Sequence, residues 1–310
     1  MDKGAGIFIA EHKSMIGSAL MRRLESTGFN NLITRTPLQL DLTSQKEVDD
    51  FFIKEKPDYV FLGGTKIGGI LANSKYPAEF IYNNLQSQSN VINSAWKSGI
   101  KKLIFLGSSC IYPKDCPQPM KEDYLMSGKL EPTSEPYAIA KIAGIRMCQS
   151  YDFQYGTNYI SVVPADLYGP NDDFDLETSH VFPALIRKMH EAKIHNEHEV
   201  IVWGTGSPRR GAFHVDDLAD ACVFLMNNYN ESGMINVGPG DDFSIKELAL
   251  LVKKVVGFGG DIVFDGSKPD GAPRKLLDNS KIRKSGWSPK ISLEEGIRQT
   301  YEWYKQHSQN

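Results

Sequence analysis

Apolar positions in the first half of the chain form short continuous runs, and the stretches between them repeat with a helical period. The runs at residues 6–10 (GIFIA), 31–35, 59–64 (YVFLGG), 101–108 (KKLIFLGS) and 159–167 (YISVVPADL) read as five strands. Residues 15–26, a segment from Ser44 through Phe52, and residues 77–98 and 136–155 read as the helices between them. The second of these is opened by Ser44 and Glu47 at capping-box spacing. Strands that are apolar throughout and separated by helices predict an α/β fold, a doubly wound, Rossmann-like parallel sheet covered on both faces.

After Gly169-Pro170 the pattern changes. Helical periodicity is expected over 183–193, 216–228, 243–256 and 293–306, with strands at 200–204 (VIVWG) and 261–266 (DIVFDG). This predicts a smaller C-terminal α/β lobe. The division expected is 1–170 for the dinucleotide-binding domain and 171–310 mainly for a substrate lobe, with some chain returning to the sheet.

Composition narrows the class. The chain has 310 residues, 41% hydrophobic and 24% charged, with a net charge of −3 and dispersed basic residues. No basic footprint for nucleic acid stands out, so any anionic partner is met by a few placed cations. No apolar segment is long enough to span a bilayer, and the first residues do not read as a secretion signal. Cys110, Cys116, Cys148 and Cys222 show neither CxxC nor zinc-site spacing, so no metal is expected, and free thiols point to the cytoplasm.

The candidate chemistry begins with Tyr137 and Lys141. One helical turn apart, they project from the same face. A phenol is a poor acid at neutral pH unless an ammonium steadies its phenolate, and Lys141 stands where it can do so. Alone, this spacing reads equally as a surface pair on an amphipathic helix. Here it follows Gly107-Ser108-Ser109 at the carboxyl end of the fourth strand, the edge at which open parallel sheets bind ligands. That placement makes an NAD(P)-dependent oxidoreductase the reading of choice.

Between the first strand and first helix a glycine-rich phosphate turn is expected, but the segment reads Ala10-Glu11-His12-Lys13-Ser14-Met15-Ile16-Gly17. Only Gly17 matches the G-x-x-G-x-x-G pattern, and Glu11 puts a negative charge where a diphosphate would approach. The helix N-terminus remains available, and Lys13 can offset part of that charge. At the end of the second strand, Ile33-Thr34-Arg35-Thr36 offers no carboxylate for a ribose and a guanidinium suited to a phosphate, so NADP(H) is expected rather than NAD. Asp41-Leu42 is read either as an adenine contact or as the start of the next helix.

At GSSCIYPK (107–114), EPYAIAKIAGI (135–145) and KPDGAPRKLLD (268–278) the chain resembles the GDP-L-fucose synthases, which are extended short-chain dehydrogenases/reductases. The resemblance runs from Ile7 to near the C-terminus, through FIYNN (80–84), SHVFPAL (179–185), VWGTG (202–206) and HVDDLADA (214–221). It implies Ser108, Tyr137 and Lys141 as a reductase triad, Cys110 and His180 as an acid/base pair for epimerisation, and Lys188, Trp203, Arg210 and Asp270 as contacts to a GDP-sugar. Cofactor contacts are expected at Lys13, Met15, Ile16, Gly17, Arg35, Asp41, Leu42, Leu106, Gly107, Ser109, Pro164 and Leu167. From their chemistry alone, Cys110 reads as a packed thiol and His180 as a structural histidine. The implied reaction is NADPH-dependent 3,5-epimerisation and 4-keto reduction of GDP-4-dehydro-6-deoxy-D-mannose, by a homodimer.

The chain also departs from that family's pattern. Glycine is usual where Glu11 and Ser14 stand, an acidic residue and an aromatic where Gly211-Ala212 follow Arg210, and Thr-Asn where Ala165-Asp166 lies. The small residues near Gly63-Gly64-Thr65 are kept. These changes leave two alternatives: an enzyme acting on a related GDP-deoxysugar, or a nucleotide-sugar-binding protein with impaired cofactor use.

Overall fold

The computed structural model describes residues 1–64, 66–268 and 270–307. Along the chain the elements are β1 (Ile7–Ile9), α1 (Met15–Ser26), β2 (Leu32–Ile33), α2 (Gln45–Glu55), β3 (Tyr59–Leu62), α3 (Ile70–Lys75), α4 (Pro77–Lys97), β4 (Lys102–Leu106), α5 (Glu135–Tyr155), β5 (Tyr159–Pro164) and β6 (Asp166–Tyr168). They continue with α6 (Val181–Ile194), β7 (Glu199–Trp203), β8 (Arg209–Arg210), β9 (Ala212–His214), α7 (Val215–Asn228), β10 (Gly233–Val237), β11 (Phe243–Ser244), α8 (Ile245–Val256), β12 (Asp261–Asp265), β13 (Arg274–Lys275), α9 (Ser280–Lys284) and α10 (Leu293–His307).

The main sheet is parallel throughout, in the order β10-β5-β4-β3-β1-β2. Helices α2, α4 and α5 pack on one side and α1 with α7 on the other. Because both faces are covered, the strands are apolar on alternate and intervening positions alike: Ile7, Phe8, Ile9, Val60, Phe61, Leu103, Ile104 and Phe105 are all buried. Chain direction around the sheet reverses between β1 and β3, so the crevice at their carboxyl ends is the topological switch point.

Two predicted strands differ from those formed. The run at 31–35 contributes only Leu32 and Ile33 to the sheet. The run at 159–167 is two strands, because the chain leaves the main sheet at Ala165, whose N–H still donates to the Val237 carbonyl at 2.9 Å. Asp166–Tyr168 then pairs with Ala212–His214 in a separate two-stranded ladder. The capping-box spacing at Ser44 and Glu47 is half used. Ser44 accepts from the Glu47 N–H, but the Glu47 carboxylate reaches the Asp41 N–H instead. The complete box is at Ser244 and Glu247, opening α8.

The second lobe has its own core of Phe182, Leu185, Ile186, Met189, Leu248, Val252, Ile297 and Tyr301, built by α6, α8 and α10 around β7 and β12. Helix α7, strand β10 and residues Leu277, Ile282 and Trp287 pack instead into the core of the first sheet. Among the described residues, no helix is long and apolar enough to cross a membrane.

Candidate active site

The carboxyl end of β4 is where the singled-out residues gather. The strand stops at Leu106, and Gly107 holds the next peptide against β5 by donating to the Val162 carbonyl at 2.7 Å. Ser108 then caps a short 3-10 turn, Ser109–Ile111, and its Oγ accepts from the Cys110 N–H. Ser108 and Cys110 remain half-buried at the rim, while Ser109 is buried.

Helix α5 brings Tyr137 and Lys141 over this turn. Lys141 is buried, 1% exposed, and its Nζ donates to the Leu106 carbonyl at 2.7 Å. The same ammonium lies 5.8 Å from the Tyr137 ring centroid and 4.8 Å from that of Phe105. Burial lowers the Lys141 pKa to about 8, opposed by the nearby Cys110. Burial, with Cys110 adding to it, holds the Tyr137 phenol above its ordinary value, so it stays protonated at neutral pH. The ammonium thus binds the Leu106 carbonyl while standing beside the Tyr137 ring.

His180 is the N-cap of α6, at the end of the loop that follows β6. Solvent reaches it, yet the protein around the cleft desolvates it and lowers its pKa, against the opposing effect of Asp166. Burial raises the Cys110 thiol, opposed by its bond with Ser108 and by Lys275 and Lys141. Cys110 and His180 thus share two charged neighbours, Asp166 and Lys275, although 70 residues of chain separate them. Burial thus favours the neutral form of both the Cys110 thiol and the His180 imidazole.

On the second lobe, Lys188 donates to the Ile201 carbonyl at 3.1 Å and lies 5.9 Å from the ring centroid of the half-exposed Trp203. Arg210 donates from Nη1 to the Arg209 and Ala272 carbonyls at 2.8 and 2.7 Å, and its Nε lies 3.5 Å from Asp166 Oδ2. Asp270 accepts from the N–H and hydroxyl of Thr205 at 2.9 and 2.7 Å, tying the 204–206 turn to the segment before β13. Arg210 reaches the β4 turn through Asp166, which also accepts from Ser109.

Most of the expected cofactor residues follow the carboxyl ends of β1, β2, β4 and β5; Asp41 and Leu42 lie just ahead of α2, and Leu167 lies on β6. Ser14 caps α1, its Oγ accepting from the Gly17 N–H at 3.1 Å. A β-carbon at Gly17 would stand 2.2 Å from the Glu11 carbonyl oxygen, so glycine alone lets α1 start this close to the loop. The amides of Met15 and Ile16 open the helix with no protein acceptor among the described residues, which suits a phosphate. Glu11 keeps the turn by adopting the left-handed region, φ +58°, and burial raises its carboxyl pKa. The loop geometry therefore fits a dinucleotide, and the carboxylate opposes its charge. Lys13 is exposed. Arg35 is paired with Glu55 at 2.7 Å and lies over Phe51. Asp41 accepts from the N–H and hydroxyl of Thr43, an Asx turn that starts α2, so the helix-start reading has a bond behind it. Leu42 is buried, its carbonyl bonded by Asn90; Pro164 is buried where β5 ends, and Leu167 is half-buried on β6.

Three neighbours of this site were not singled out from the sequence. Lys275 lies inside the 268–278 block, where a second basic residue after Arg274 was the available signal. Asn84 is buried beside Gly64 and Lys141, in the FIYNN block. Asp166 was visible as a departure from the resembled pattern, but its contacts with Ser109 and Arg210 were not. Thr65, the last of the small residues near 63–65, lies outside the described residues. Among the described residues, no group of three His, Cys, Asp or Glu side chains is placed to hold a metal ion.

A switch-point crevice and a Tyr-x-x-x-Lys helix over a Ser-containing turn fit a dinucleotide-fold epimerase/reductase class. The chain belongs to the NAD dependent epimerase/dehydratase family, which its residues 7–238 match. It is 59% identical to a putative GDP-L-fucose synthase 2 of Arabidopsis thaliana, over 98% of this chain and 93% of that one. It is 51% identical to the GDP-L-fucose synthase of Escherichia coli strain K12, over 96% of each. A solved GDP-mannoheptose C4 reductase from Campylobacter jejuni with NADP bound superposes with a TM-score of 0.91 at 44% identity, covering 98% of this chain and 99% of the other.

Proposed function

We propose that this protein converts GDP-4-dehydro-6-deoxy-D-mannose to GDP-L-fucose by 3,5-epimerisation followed by 4-keto reduction with NADPH. The observation that supports the reading is the β4 turn, where Ser108 and Cys110 lie under Tyr137 and Lys141, with Asp166 and Lys275 as charged neighbours common to Cys110 and His180.

The ketone at carbon 4 acidifies the protons on carbons 3 and 5, so inversion needs a group to take a proton from one face and another to return one to the opposite face. The Cys110 and His180 pair supplies one proton and one vacant lone pair at neutral pH, a division that the directions of their pKa shifts favour. Reduction then builds negative charge on the carbonyl oxygen. Ser108 Oγ steadies that oxygen and the protonated Tyr137 donates to it. Lys141 holds positive charge beneath the phenol. A reduced nicotinamide, when bound, supplies the hydride; the α1 amides of Met15 and Ile16, with Gly17, Lys13 and Arg35, would hold the phosphates, and Leu106, Gly107, Ser109, Pro164 and Leu167 would border the nicotinamide end. Asp41 and Leu42 would meet the adenine. Lys188 and Arg210 offset the diphosphate of the GDP-sugar, with Trp203 and Asp270 bordering it.

The test is NADPH absorbance with the purified protein and GDP-4-dehydro-6-deoxy-D-mannose. Stoichiometric oxidation with formation of GDP-L-fucose is the result expected; no oxidation with this substrate, but turnover of a GDP-4-ketoheptose, would replace it with the second reading. That reading is favoured by Asp166 beside Arg210 and by Gly211-Ala212, which change the wall of the sugar site. A cytoplasmic homodimer completes the proposal. Helices α4 and α5 leave Tyr82, Ile139, Phe153 and Tyr155 exposed, and pairing of these helices with those of a second copy would cover such side chains. Light scattering after gel filtration measures the mass directly, and a monomer at micromolar concentration would remove that part.

A further inference from the structure

We infer that Asp166 is a positioning residue of this site, its carboxylate joining the turn that carries Ser108 and Cys110 to the guanidinium of Arg210. The inference rests on the epimerase/reductase reading above and adds a residue to it.

Asp166 stands where the chain crosses from the main sheet into the second lobe. It opens β6 immediately after β5 ends, and it is in register with Ala212 on β9. Each oxygen faces a different lobe: Oδ1 accepts from Ser109 Oγ at 3.4 Å and Oδ2 lies 3.5 Å from Arg210 Nε. Ser109 lies between Ser108 and Cys110, so a pull on its hydroxyl acts on both. Arg210 is held at the same time by the Arg209 and Ala272 carbonyls through Nη1, which leaves Nη2 outside these bonds. Two of the three guanidinium nitrogens are thus committed within the protein.

The same carboxylate sets charge at the acid/base pair. Cys110 is faced by Lys275, Lys141 and Asp166, and bonded by Ser108; His180 is faced by Asp166, Lys275 and Asp173. Asp166 is the carboxylate common to both. An amide at this position, the residue the resembled family carries, would offer one acceptor oxygen where the carboxylate offers two, and would lose the charge. The loss of the acidic residue after Arg210 fits the same pattern. At Gly211 a β-carbon would meet only ordinary contacts, 3.4 Å to the Asp241 carbonyl oxygen, so the position has room for a side chain.

The experiment compares Asp166→Asn and Asp166→Glu with the parent enzyme in two ways. First, the rate of iodoacetamide alkylation of Cys110 is followed against pH; the other three thiols are buried, so the reaction reports this one. In Asp166→Asn the midpoint should fall by about half a unit to one unit, and Asp166→Glu should restore it, because a neighbouring negative charge disfavours the thiolate. Second, kcat and KM for the GDP-sugar are measured at saturating NADPH. In Asp166→Asn both should fall, KM by about fivefold, as the guanidinium stops sharing its charge with a carboxylate. A purely structural defect would lower kcat without lowering KM. Alkylation uses the protein alone, so it can be read even if the fucose precursor proves the wrong substrate. An unchanged midpoint in a folded Asp166→Asn protein would overturn the inference and leave the proposed activity standing.

Discussion

The ammonium of Lys141 lies 3.0 Å from the point where Gly64 would carry a β-carbon, with Asn84 Oδ1 3.2 Å from that same point. The end of β3 therefore shapes the space for a group carried on α5. A methyl there forces the lysine or the asparagine to move, and the lysine is already tied to the Leu106 carbonyl. Gly64→Ala should lower kcat about tenfold or more through this displacement while leaving the fold intact. Gly63→Ala, where a β-carbon meets nothing within 4 Å, is the control. Equal effects of the two in steady-state assays would show that crowding at Lys141 is not the cause.

The two half-reactions should separate. Tyr137→Phe removes the donor to the carbonyl oxygen and should cut NADPH oxidation by about 100-fold or more, while leaving exchange of substrate carbon-bound hydrogen with deuterated water. Cys110→Ala should do the reverse to exchange. Mass spectrometry of recovered sugar in D2O distinguishes them, and loss of exchange in Tyr137→Phe would merge the two steps into one site function.

Glu11 carries two burdens in the cofactor loop, a left-handed backbone and a desolvated carboxylate. Glu11→Gly relieves both and should tighten NADPH about tenfold, with roughly 1 kcal/mol of backbone strain released. Glu11→Gln keeps the backbone strain and removes only the charge. Fluorescence titration of NADPH compares them; no tightening in either variant would refute the electrostatic argument for this loop.

His214 predicts acid sensitivity. Its side chain is fully buried, its Nδ1 accepts from the Asp216 N–H to cap α7, and burial lowers its pKa to about 4. The unfolded chain binds this proton below about pH 6.5 and the folded one does not until about pH 4. Stability contributed by the neutral ring is therefore full above 6.5 and is lost as pH falls toward 4, by about 2 kcal/mol at pH 5. His214→Asn, which can still cap the helix, should flatten the urea-unfolding profile between pH 6.5 and 5. A slope unchanged in that variant would assign the sensitivity to other groups.

Sequence periodicity was enough to place the strands at β1, β3 and β4 because each is a continuous apolar run between turn residues. It did not find β10, which is five residues with Asn236 among them, or α3 and α9, which span six and five residues. Such short elements are held by what they pack against. Asn236, itself fully buried, is tolerated in this strand because Tyr112 and the Met120 carbonyl take its side chain.

What the sequence determined by itself was local: a helix that aligns Tyr137 with Lys141, a turn that follows β4, and a loop whose Glu11 breaks the glycine pattern. These depend on spacing along one element, which periodicity records. The tertiary structure alone decided that Cys110 and His180 share Asp166 and Lys275 as charged neighbours, that Lys141 donates to the Leu106 carbonyl, and that Asp166 leaves the strand predicted to contain it and meets Arg210. Those relationships join elements far apart in the chain, and they are set by how the two lobes pack rather than by any repeat in the residues.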